Sequence, residues 1–97
     1  MSTNDDTIFI NQKYTLRLDT GKPLSGATCK IAYRKPDGTT GTWDATGAGT
    51  ELNHEVTSAE NDTAGTWYFH SYVQFSGETT YTPGERVSLR VLRLYED

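Results

Sequence analysis

Two histidines, one cysteine and a scatter of carboxylates are the side chains from which this sequence could build a metal site or an acid/base pair. His54 and His70 would be its imidazoles, but neither has a cysteine or carboxylate at ligand spacing, and a tetrahedral zinc site needs three or four such groups. His54 shares the alternation phase of Leu52 and Val56, which marks it as a half-buried, hydrogen-bonded residue at a core edge. His70 shares its phase with Tyr68, Tyr72 and Gln74. Cys29 falls in phase with Ile31 and Tyr33, so it reads as a buried, inert thiol, and alone it forms no intramolecular disulfide. Asp5, Asp6, Glu60, Asp62, Glu96 and Asp97 follow no calcium-loop pattern and read as solvated termini and turn caps. Asn61-Asp62-Thr63 matches a glycosylation acceptor by chance. These residues define no catalytic site, no metal site and no cofactor, and a non-enzymatic protein is expected.

The elements that must position them are expected to belong to a single β-sandwich domain, residues 7–97, behind a disordered N-terminal tail at residues 1–6. A chain of 97 residues can enclose one core. Its six tyrosines, three phenylalanines and two tryptophans supply large buried areas that a hydrophobic fraction of 34% would not otherwise provide. A net charge of −4, with basic residues spread over every segment, argues against a duplex-binding surface and hence against nucleic acid as a partner. The N-terminus has neither a basic n-region nor an apolar h-region, and no segment is long enough to span a membrane. The expected location is therefore the cytoplasm of the producing cell, with no secretion by a signal peptide and no membrane partner.

Alternation by two dominates the chain. Asp62 to Phe75 holds the densest aromatic and β-branched run, with Trp67, Phe69, Val73 and Phe75 on one face of a long central strand starting at Gly65. Tyr14, Leu16 and Leu18 alternate within Lys13–Asp19. Cys29, Ile31 and Tyr33 alternate within Ala27–Arg34, and Leu52, His54 and Val56 within Thr50–Val56. Thr7–Ile10 is a short apolar run, and Leu24 is placed to plug one end of the core. Lys35-Pro36-Asp37-Gly38 predicts a reversal: Pro presets the first central position of a type I turn, Asp suits the second, and Gly takes the left-handed conformation closing a bulged hairpin. Gly41–Ala45 should return antiparallel, with Trp43 at the core or its rim. Thr46–Gly49 reads as a small-residue turn, and Ser58-Ala59-Glu60 as the cap of a single helical turn. Thr79–Gly84 is an edge or loop. Glu85–Leu94 closes the chain, with Val87, Leu89 and Val91 in one phase and Leu92 and Leu94 in the other. About seven mostly antiparallel strands with no helical period make an all-β sandwich the expected architecture, with a small barrel second.

Asp62-Thr63-Ala64-Gly65-Thr66-Trp67 resembles the turn that leads into the F strand of immunoglobulin-like domains, where acidic and small residues precede an aromatic corner. Phe69 occupies the next inward position, where such domains often carry a cysteine, so the disulfide hallmark is missing. The run Tyr33-Arg34-Lys35-Pro36-Asp37-Gly38-Thr39-Thr40-Gly41-Thr42-Trp43, followed by Ala64-Gly65-Thr66-Trp67, resembles small phage- and prophage-encoded immunoglobulin-like β-sandwich proteins. Around its Lys-Pro-Asp-Gly turn it is similar to the N-terminal domains of phage baseplate upper proteins. The likeness covers most of residues 13–94 and rests on turn and core residues. It implies a virion-associated structural or assembly protein, such as a head-decoration, tail or baseplate accessory component. Its partners would be other virion structural proteins or a second copy of itself, joined during particle assembly.

If Trp67, Phe69, Val73 and Phe75 face inward, Tyr68, His70, Tyr72 and Gln74 form the opposite face, with Trp43 and Tyr81 as further members. Exposed aromatic rings anchor protein interfaces or stack on sugars, because they offer rigid area with a polar handle. Docking through that face or through an open strand edge is expected. A carbohydrate-binding module using the same rings is the alternative.

Overall fold

The computed structural model describes residues 7–93. The tail assigned to residues 1–6 and the end of the last strand at Leu94 lie outside the described residues. The chain is all-β, with strands β1 (Thr7–Phe9), β2 (Tyr14–Asp19), β3 (Thr28–Arg34), β4 (Thr40–Asp44), β5 (Thr46–Ala48), β6 (Glu51–Val56), β7 (Gly65–Gln74), β8 (Thr82–Pro83) and β9 (Val87–Leu92). The larger sheet runs β1-β9-β7-β3-β4, with β8 beside the far end of β7, and the smaller runs β2-β6-β5. Neighbouring strands are antiparallel except β1 and β9, which run parallel with Thr7 opposite Arg90.

The two sheets face each other across one core, giving a sandwich-like architecture. Leu16, Leu18, Leu52 and Val56 enter from the smaller sheet. Cys29, Ile31, Trp67, Phe69, Val73 and Val91 enter from the larger, and Leu24, between β2 and β3, is buried with them. Ile31, Leu52, Val56 and Phe69 are fully shielded, and each such side chain contributes roughly 1.5–3 kcal/mol by leaving water. Strand β7 shows the alternation most clearly: Trp67, Phe69, Ser71 and Val73 are buried, while Tyr68, His70, Tyr72 and Gln74 between them are half-exposed. Phe75, expected inward, packs partly buried against the core just past the strand.

Two elements differ from the sequence reading. Thr46–Ala48 is a strand, hydrogen-bonded along β6, and not a turn. Its three residues are exposed, but at Gly47 there is no room for a side chain: a Cβ there would sit 2.9 Å from Cys29 Sγ and 3.1 Å from Leu24 Cβ. The cap after β6 is made by Thr57 instead of Ser58. The Thr57 N–H donates to Glu60 Oε1 at 2.9 Å and the Glu60 N–H donates to Thr57 Oγ1 at 3.2 Å, a reciprocal capping pair.

The Lys-Pro-Asp-Gly turn forms as its composition requires. The Gly38 N–H donates to the Lys35 carbonyl, the Lys35 N–H to the Thr39 carbonyl, and Gly38 sits at φ 93°. The turn folds back against the start of β7: Lys35 Nζ contacts both Asp62 carboxylate oxygens at 3.0 and 3.2 Å and lies 5.6 Å from the Trp67 ring centroid. A side chain on Gly65 (φ 127°) would meet Pro36 Cβ at 2.7 Å. The Lys35–Gly38 turn and the stretch from Asp62 to Trp67 thus meet in space.

Candidate functional site

The outer face of the larger sheet is set by register. Three cross-strand rows traverse it. Asp44, Lys30, Tyr72 and Pro83 form the first; Thr42, Ala32 and His70 the second; Thr40, Arg34, Tyr68 and Ser88 the third. In the first row Lys30 Nζ donates to Asp44 Oδ1 at 2.8 Å. That bond raises the lysine's affinity for its proton and lowers the aspartate's, so the two charges largely cancel locally. The Tyr72 ring stacks on Tyr81, with centroids 4.9 Å apart and planes 9° from parallel. In the third row the Arg86 guanidinium lies 4.6 Å from the Tyr68 ring centroid, a cation–π contact.

The middle row is the low one. Ala32 is a methyl group between Thr42 and His70, flanked by larger side chains in both neighbouring rows, and a hollow of about 580 Å³ opens over it. Its walls include Arg34, Thr40, Thr42, Tyr68, His70, Tyr72 and Arg86. No aspartate or glutamate lines it. His70 Nδ1–H donates to the Gly84 carbonyl at 2.8 Å; since a carbonyl only accepts, this fixes the ring and leaves Nε2 as its other polar atom. Among the described residues neither Arg34 nor Arg86 has a carboxylate partner.

Of the six residues expected on this face, Tyr68, His70, Tyr72, Gln74 and Tyr81 lie on it or against it. Trp43 does not. It pairs with Ile31, and its ring packs against Tyr33, His54, Trp67 and Phe69 with centroids 4.6 to 6.0 Å away. Alternation along so short a strand cannot choose a face by itself, and pairing with the buried Ile31 decides it. The absence of a side chain at Gly41 allows this aromatic cluster, because a Cβ there would stand 2.5 Å from Tyr33 Oη. Sequence reasoning passed over Arg34 and Arg86. The signal for Arg34 lay in strand pairing, which puts it opposite Tyr68.

The acid/base candidates are engaged elsewhere. His54 stacks on Trp43 and is held between the Asp44 carbonyl, 2.9 Å from Nδ1, and Glu60 Oε1, 3.1 Å from Nε2. Burial raises the Glu60 carboxyl's proton affinity, but hydrogen bonds from the Thr57 N–H and His54 outweigh it and hold the group below its usual range. Burial pushes the Cys29 thiol up, away from thiolate formation. Burial also pushes the Tyr14 hydroxyl well up, with the Glu60 charge adding to it. Asn61 is buried: its Nδ2 donates to the Phe9 and Gln12 carbonyls at 2.8 and 2.9 Å. It is therefore a structural bracket for the bend leaving β1, not a glycan acceptor.

Among the described residues no three His, Cys, Asp or Glu side chains converge to hold a metal ion, and no helix is long and apolar enough to cross a membrane. The fold and the outer-face hollow define an all-β chain with a concave aromatic and cationic surface. Comparison with protein-family models, curated proteins and solved structures finds no match to any of them.

Proposed function

We propose that this chain is an immunoglobulin-like β-sandwich module that works by docking, without catalysis, through the outer face of its larger sheet. The strand order supports the fold assignment: β2-β6-β5 opposite β1-β9-β7-β3-β4 follows a B-E-D sheet facing an A′-G-F-C-C′ sheet. One observation carries the functional reading. The hollow over Ala32 gathers aromatic and arginine side chains, the types that anchor protein interfaces, on a face with no second layer of the described chain over it. The partner class comes from the resemblance to phage and prophage proteins: structural components of a virion, met during particle assembly. The contact of the Lys35–Gly38 turn with Asp62, Gly65 and Trp67 supports treating those residues as one unit. Sugar stacking is less well supported, because the Tyr72 ring is already stacked by Tyr81 and the Tyr68 ring already covered by Arg86.

The test is incorporation. Wild-type protein should co-purify with assembled particles and cross-link to a neighbouring structural protein, and a Tyr68→Ser/Tyr72→Ser double variant should do neither while keeping its near-UV circular dichroism. No wild-type protein in particles and no cross-link to any structural neighbour would end this reading, and a positive glycan array would replace it.

A further inference from the structure

The charge around the hollow identifies what it takes. The protein as a whole carries 13 acidic and 9 basic residues, yet the residues lining this hollow include two arginines, a histidine and no carboxylate. The one acidic group on the outer rows, Asp44, is tied to Lys30. Arg34 stands opposite Tyr68 in the β3–β7 register, the Arg86 guanidinium lies over the same tyrosine ring, and both arginines line the hollow from different elements. Each presents a planar fork of N–H donors that matches a carboxylate bidentately. Tyr68, Tyr72, Thr40 and Thr42 add hydroxyls around the rim.

Building on the docking reading above, we infer that the hollow over Ala32 receives an acidic segment of the partner protein. One Asp or Glu carboxylate is held between Arg34 and Arg86, while the segment's backbone lies over Ala32 and beside the Tyr72–Tyr81 stack. Charge complementarity selects this occupant. An acidic chain repels other acidic surfaces except where it offers a local cationic recess, so the recess sets both where and in what orientation an acidic segment lands. The lysine is already spent on Asp44, which leaves the two arginines as the selective pair.

The experiment uses full-length protein and a hexaglutamate peptide with neutral flanks, its hexaglutamine counterpart serving as control, followed by NMR titration. Hexaglutamate should shift the Arg34 and Arg86 Nε–H signals and the His70 ring signals, and should weaken steeply with salt. Hexaglutamine should shift none of them. Arg34→Gln and Arg86→Gln should each lower the affinity about tenfold, as loss of one charge-assisted bidentate contact does, while leaving the amide spectrum of the core in place. Equal binding of hexaglutamine, or undiminished binding by the Arg34→Gln/Arg86→Gln double variant, would overturn the inference. So would tighter binding of inorganic phosphate or of a short single-stranded oligonucleotide than of hexaglutamate. Particle incorporation separates the two levels. If the tyrosine double variant loses incorporation but the arginine double variant keeps it, docking stands and the acidic segment does not.

Discussion

The molecule contains two aromatic clusters that each enclose a histidine and lie near cations, one inside the sandwich and one outside, and they differ in what their polar atoms have left to do. Inside, His54 stacks on Trp43 and has acceptors at both ring nitrogens. At its exposed rim Lys35 meets Asp62, and Trp67 Nε1–H donates to the Thr63 carbonyl at 2.8 Å. Outside, His70 commits one nitrogen, Tyr68 and Tyr72 are engaged through their rings, and Arg34 and Arg86 face a hollow without a carboxylate. The inner cluster is closed and holds the fold. The outer one keeps unspent hydrogen-bonding capacity, and under the docking proposal that capacity, more than residue type, is what a partner would use.

The sharpest way to break this contrast is to truncate a ring on each face of β7. Phe69→Ala should cost about 3–5 kcal/mol through lost transfer energy and a cavity, and Tyr72→Ala about 1 kcal/mol or less, both read from urea unfolding midpoints. Similar losses for the two would mean that the outer rings are structural after all. Next in size is Asn61→Ala. It takes the donor from the Gln12 carbonyl, leaves the Phe9 carbonyl with the Gln12 N–H alone, and should cost about 1–3 kcal/mol. Amide exchange should quicken first at Ile10 and Asn11, whose N–H groups donate to Leu92 and to Asn61 itself.

The smallest effect is the most specific. Because folding lowers the Glu60 carboxyl's proton affinity, its ionised form stabilises the protein above the usual carboxylate range. That contribution disappears as the pH falls through the lowered value. Glu60→Gln keeps an acceptor for the Thr57 N–H but has no charge to lose. The wild type's advantage over it at neutral pH should therefore vanish on acidification, as measured by paired thermal melts.

Much of this architecture was legible from alternation. Leu16 and Leu18, Cys29 and Ile31, and Trp67 and Phe69 each announced their strand and its buried face, and the Pro-Asp-Gly sequence announced its hairpin. What alternation could not give was pairing. Strand β5 was hidden because it is three residues long, two of them, Gly47 and Ala48, are poor strand formers, and it pairs through backbone groups that every residue carries. Trp43 was ambiguous until Ile31 lay across from it, and Asn61 carried only the signature of a turn. The hollow follows the same rule. Its tyrosines stood out in one strand, but Ala32 as its floor and Arg34 as its wall acquire meaning only from what lies opposite them.

The parallel pairing of β1 with β9 carries a mechanical consequence. Thr7–Phe9 and Arg90–Leu92 run in the same direction, side by side. Tension applied through the chain on either side of them would drag β1 toward its start and β9 toward its end. The strands would slide past each other, and the hydrogen bonds between them would be loaded together instead of opened one at a time. Resistance to such a pull is governed by the rate of unfolding rather than by equilibrium stability.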